Sequence, residues 1–212
     1  MHIAEGFLPA RVCIVGYAIT GLTTWYSLRQ IDGDPDTAEH LPKASLLAAA
    51  FFAASSIHVP IPPASVHFVL NGLLGAMLGY YAFPAILIGL FFQAVMFGHG
   101  GLSTLGVNAA MMGIPALLAY HIFQLRHRFD PDNRVPISIL AFLSGAVGLG
   151  LATLVFVGLI VFYTAELDAT TGQTALWGLT LAHVPIMGLE GLFTTMVALF
   201  LRQVKPELLG HQ

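Results

Sequence analysis

Residues 1–28 read MHIAEGFLPARVCIVGYAITGLTTWYSL, and they decide both the class of the protein and where its chemistry lies. The run from Leu8 to Leu28 is long enough, at about 1.5 Å per residue, to cross roughly 30 Å of hydrocarbon as a helix. Ahead of it stand Glu5 and no Lys or Arg. A secretory signal needs a basic leader and a small-residue cleavage site, so this end is not marked for removal. His2 is too large for methionine excision, and Met1 is expected to be retained.

That places three nitrogens within one chelating unit: the Met1 amine, the His2 amide and the His2 imidazole. A metal that displaces the amide proton closes a five-membered and a six-membered ring with them. His67 supplies a fourth nitrogen. Four nitrogens in a plane suit Ni(II) or Cu(II), which prefer tetragonal sites and stand high in the divalent affinity order.

Composition sets the class. Of 212 residues, 57% are hydrophobic and 9% charged, with mean hydropathy +0.81. Soluble domains carry about 25% charged residues, so the chain reads as an all-α integral membrane protein with one transmembrane domain, 1–212. Net charge -3 and only 8 Lys+Arg exclude nucleic acid as a partner. The single cysteine, Cys13, cannot form an intrachain disulfide and reads as a small core residue.

Seven spans are expected, over 8–28, 44–57, 68–81, 85–97, 105–125, 136–163 and 176–201. Between them, residues 29–43 form a polar loop, HVPIPPASVH (58–67) a proline-broken connection, and Phe83-Pro84 a tight turn. GHGGLST (98–104) is irregular backbone, which membrane depth tolerates only where protein or a wet cavity satisfies it. Gly72 and Gly75 give span three a face small enough for close helix contact. With seven spans, Arg29, Lys43, Arg126, Arg128, Arg134, Arg202 and Lys205 share one side, which is seven of the eight basic residues. The positive-inside rule makes that side cytoplasmic and puts the N-terminus outside, with His67 and His99.

Beyond Met1, His2 and His67, His99 is a candidate either as a further ligand or to orient one by hydrogen bonding, and Ser65, Asn71 and Asn108 are candidates for the same orienting role. An ionisable group near a span is costly and so points to function, although His67 could also be a helix-terminal His bonded to a carbonyl. His58 reads as interfacial. His183 and Glu190, seven apart on span seven, share a face and are expected to form a buried pair. Met111-Met112 reads as packing. Gly-x-x-x-x-Gly-Lys-[Ser/Thr] is absent, so no ATPase site is expected. An intramembrane metalloenzyme would need a pattern such as His-Glu-x-x-His, also absent, and a haem protein would need histidines mid-span. A passive metal-binding channel stands as a further alternative, behind transport.

MHIAEGFLPA, SVHFVLNGLLGAMLG and FFQAVMFGHGGLSTLGVN together resemble the substrate-binding membrane component of the cobalt/nickel energy-coupling factor transporters, the CbiM/NikM family. The resemblance implies a seven-helix protein of a bacterial or archaeal plasma membrane, its N-terminus tucked into the bundle from outside. It implies that Met1, His2 and His67 hold Ni(II) or Co(II) as transported substrate, with no cofactor. Its implied partners are a transmembrane coupling subunit, a pair of ATP-binding subunits and a small accessory membrane subunit, which this chain does not carry as a C-terminal extension. Cobalt-type members carry a Cys- and Thr-containing stretch around the internal His. Pro62-Pro63-Ala64-Ser65-Val66-His67 lacks it, which favours nickel, with Co(II) uptake for cobalamin synthesis the alternative.

Overall fold

The first long helix, α1 (Ala10–Asp32), starts behind Pro9, whose missing donor costs nothing at a helix start, and ends at Gly33. Its large residues Ile14, Leu22 and Trp25 point outward, while Cys13, Gly16, Thr20 and Ser27 are buried. In lipid, bulk faces the acyl chains and small residues let helices approach, so this polarity is that of a membrane bundle. The computed structural model describes residues 1–33, 37–61, 64–130, 133–164 and 169–209.

Helix α2 (Thr37–Ser56) begins well inside the stretch expected to be loop. Charges such as Glu39 and Lys43 mark where lipid ends, not where helical hydrogen bonding ends. The proline-rich connection is also more ordered than a break: β1 (His58–Ile61) and β2 (Ala64–His67) pair antiparallel, with His58 opposite His67. Among the described residues the fold is helical apart from this hairpin.

Span three starts later than expected. Residues 68–70 lie outside helix and strand, and α3 (Asn71–Leu78) begins after Leu70, whose φ of 54° is left-handed. The chain breaks next at the 3-10 turn Gly79–Tyr81, where Gly79 has φ 57°, and not at Phe83-Pro84. Pro84 lies in the first turn of α4 (Ala82–Phe97), where its missing N–H is harmless. Helices α5 (Leu105–Gln124) and α6 (Arg134–Thr164) follow. The last helix, α7 (Ala169–Val204), takes in residues expected to be polar loop and stops before Pro206. Among the described residues, four stretches are long and apolar enough to cross a membrane: Asn71–Phe97, Leu105–Arg128, Arg134–Tyr163 and Thr180–Val204.

Every residue of α3 is buried, so this short helix is the core of the bundle. It fits because it is narrow. A Cβ on Gly75 would overlap the Ala116 carbonyl of α5, and one on Gly72 would overlap the Ser144 carbonyl of α6. Asn71 ties the same three helices together, its Nδ2 donating to Met112 O at 3.1 Å and Gly148 O at 2.9 Å. Met111 and Met112 are packed beside it, as expected.

At one end of the bundle, Arg126 donates to Leu209 O at 2.5 Å and Lys43 donates to Leu208 O. The carbonyls of the C-terminal 3-10 turn (Pro206–Leu209) are thus held by two cations. At the other end lies the N-terminal segment.

Candidate functional site

Residues 1–8 have no helical or strand partner of their own, so their backbone polar groups must be satisfied elsewhere or face a cost of a few kcal/mol each. The bundle satisfies them. Ile3 N–H donates to Asn108 Oδ1 at 2.9 Å, and Ile3 O accepts from Asn108 Nδ2 at 3.1 Å and Thr104 Oγ1 at 2.8 Å. Glu5 N–H donates to Gly100 O at 3.1 Å, while the Glu5 carboxylate accepts from Ser103 N–H at 3.1 Å. Ile3 is 1% and Met1 6% exposed. The irregular 98–104 segment and the start of α5 are therefore a socket for the N-terminus.

Burial changes the amine itself. Desolvation pushes the Met1 amine from its ordinary 8.0 down to about 5, against the opposing pull of the Glu190 carboxylate. At neutral pH the amine is therefore unprotonated.

His2 is fixed by a residue that the sequence reading passed over. Its Nε2 lies 3.0 Å from Gln93 Oε1. Gln93 Nε2 donates to Ser55 Oγ and, at 3.4 Å, to Phe52 O, a group that only accepts, which sets the amide's orientation. Oε1 is then an acceptor and His2 carries a proton on Nε2, so in the neutral ring Nδ1 is the unprotonated nitrogen. Nδ1 is the nitrogen that closes a six-membered ring with the His2 amide. The signal for Gln93 was its place in Phe91-Phe92-Gln93, a buried amide in an apolar helix.

The other candidates divide. The His99 ring stacks on His2, centroids 6.2 Å apart. Asn108 clamps Ile3, whereas the hydrogen bonds of Asn71 go to α5, α6 and Gly72. Ser65 and His67 have their backbone in β2; their side chains, with that of His58, lie outside the described residues. Just past His67, Val69 and Leu70 donate their N–H groups to Glu190 Oε1, at 2.5 and 2.9 Å. His183 and Glu190 are both buried, as expected of residues on one face, and the Glu190 hydrogen bonds go to these two backbone groups. No cluster of three His, Cys, Asp or Glu side chains able to hold a metal occurs among the described residues. A set built on an amine and an amide would not form one.

Residues 2–208 match the CbiM profile, described as the cobalt uptake substrate-specific transmembrane region. The chain belongs to the CbiM family. A Haemophilus influenzae protein named for metal transport is 34% identical over 213 residues, covering 100% of this chain and 98% of its own length. The cobalt transport protein CbiM of Sorangium cellulosum is 32% identical, covering 100% and 95%. The fused nickel transport protein NikMN of Rhodobacter capsulatus is 31% identical over 99% of this chain and 64% of its own. The crystal structure of a truncated transition metal transporter shares the fold, with TM-score 0.77, 22% identity, and coverage of 96% and 99%. Membership in the CbiM family makes the chain a membrane-embedded component of cobalt or nickel transport, with metal as cargo.

Proposed function

We propose that this chain is the substrate-specific membrane component of an ATP-driven importer of the energy-coupling factor type, binding Ni(II) at the outer face of a bacterial or archaeal plasma membrane. The ligands are the Met1 amine, the His2 amide and imidazole, and His67. The observation that carries the reading is the burial of Met1, 6% exposed, together with the Gln93 bond that leaves His2 Nδ1 unprotonated. Three nitrogens of one chelating unit are held in place before metal arrives.

In this reading hydrated metal loses water to the four nitrogens, and the His2 amide proton leaves to solvent. The loaded chain then reorients against a transmembrane coupling subunit, driven by a pair of ATP-binding subunits, with a small accessory membrane subunit in attendance. No nucleotide chemistry is assigned to this chain. Tetragonal nitrogen ligation favours Ni(II) over Co(II). The Co(II) reading is kept beside it because the family is described by cobalt uptake.

The test is calorimetric titration of the purified chain with Ni(II) and with Co(II), beside a form carrying one extra residue ahead of Met1. Nickel binding that the extension abolishes supports the site and the metal. Tighter cobalt binding moves the function to cobalt supply, and binding indifferent to the extension overturns the site.

A further inference from the structure

Glu190 sits in the apolar helix α7 and is 1% exposed. A carboxylate in that place is costly unless something compensates its charge. One oxygen is compensated: Oε1 accepts from Val69 and Leu70 N–H and so holds the left-handed Leu70 between β2 and α3. The other is not. Oε2 is buried and has no hydrogen-bond partner among the described residues. Helix α7 is held close to α6 at this point, where a Cβ on Gly145 would stand 2.6 Å from Glu190 O. Val69 follows His67, a ligand of the proposed chelate, by two residues, so the carboxylate stands beside the chain that carries that ligand.

The charge of that chelate is simple to count. A divalent metal brings two positive charges, the deprotonated His2 amide cancels one, and the amine and two imidazoles cancel none. One positive charge would be left in a site walled from water. An unpaired buried charge costs several kcal/mol, and a fixed opposite charge nearby recovers it without reorganisation.

We infer that Glu190 is the fixed counter-charge of the N-terminal metal site, its Oε1 pinning the chain that follows His67 while its Oε2 balances the positive charge of the loaded chelate. The inference rests on the N-terminal site proposed above. It assigns Glu190 a positioning and charge-balancing role, not that of a ligand. It also makes the site selective for cargo that arrives as a divalent ion and leaves one net charge.

The test is Ni(II) titration of the full chain in detergent for the wild type, Glu190→Gln, Glu190→Asp and His2→Ala. Gln keeps an oxygen for Val69 and Leu70 but has no charge, so affinity should fall on the order of a hundredfold while the ligand-field absorption of bound nickel stays the same. Asp keeps the charge and should stay within about tenfold of wild type. Wild-type affinity in Glu190→Gln, an altered absorption spectrum, or an Asp variant as weak as Gln overturns the inference. His2→Ala separates the two claims: if it abolishes binding while Glu190→Gln does not, only the counter-charge fails, and if it leaves binding intact, the N-terminal site itself fails. For a Gln variant that does not fold, the infrared difference spectrum of the wild type on adding Ni(II) decides. A shifted carboxylate stretch that survives Glu5→Gln supports the role, and a spectrum without one overturns it.

Discussion

His2 Nε2 and Gln93 Oε1 lie 3.0 Å apart, joining the second residue of the chain to the middle of its fourth helix. The bond does two things at once. It holds the imidazole ring still, and it puts the ring proton on the nitrogen that does not face the amide chelate. Partners of this kind, one step removed from a metal, commonly change affinity by about 10- to 100-fold when lost.

Gln93→Leu should therefore weaken Ni(II) binding by about 10- to 100-fold while the chain still folds. Gln93→Glu keeps an acceptor for the Nε2 proton but sets its second oxygen against Phe52 O, so its affinity should fall between those of Gln93→Leu and wild type. Titrations of both variants check this. Equal affinity in Gln93→Leu and wild type would show that the ring needs no such support.

The buried amine makes a prediction about protons. An exposed Met1 amine would be largely protonated at pH 7.5 and would release its proton on binding metal, along with that of the amide. With the amine held at about 5, only the amide proton remains to leave. Calorimetry in buffers of different ionisation enthalpy should give about one proton released per nickel at pH 7.5, where an ordinary amine would make it nearly two.

The same shift has a sign for stability. Between 8.0 and about 5 the unfolded chain holds a proton that the folded chain lacks, so the contribution is complete above pH 8 and is lost as pH falls towards 5. The slope is about 1.4 kcal/mol per unit.

How much of this could be read from residues alone differs by element. Hydropathy sees lipid, so α5 ends at Gln124 where the apolar run 105–125 suggests, and the burial of Gly72 and Gly75 follows from their size. Local patterns do not see partners far along the chain. The start of α3 is set by Glu190, 120 residues away, which takes the N–H groups of Val69 and Leu70. The three prolines of 58–67 argue against helix but say nothing about pairing, and the hairpin went unread. At the site, the chelating potential of Met1 and His2 follows from their positions in the chain, and the structure adds the burial of Met1. Gln93 was not legible, because nothing near it in the chain points to the partner of its amide, His2, which lies 91 residues away.

Asn108 and Asn71 are both fully buried amides, and they separate anchoring of the N-terminus from stability of the bundle. Asn108 holds both polar groups of the Ile3 backbone, whereas Asn71 bonds Met112 O and Gly148 O. Asn108→Ala strands the Ile3 N–H and weakens the hold on Ile3 O, at about 1–3 kcal/mol for a buried group left without its partner. That cost falls on residues 1–8, so the segment should open locally: its amide hydrogens exchange faster and Ni(II) affinity drops, while thermal unfolding of the helices shifts little. Asn71→Ala breaks the tie between α3, α5 and α6, so it should lower the unfolding temperature with a smaller effect on exchange at residues 1–8. Hydrogen exchange and thermal unfolding of the two variants side by side test the division. If both lose stability equally and exchange at the N-terminus is the same in each, the socket is not an independent element of the fold.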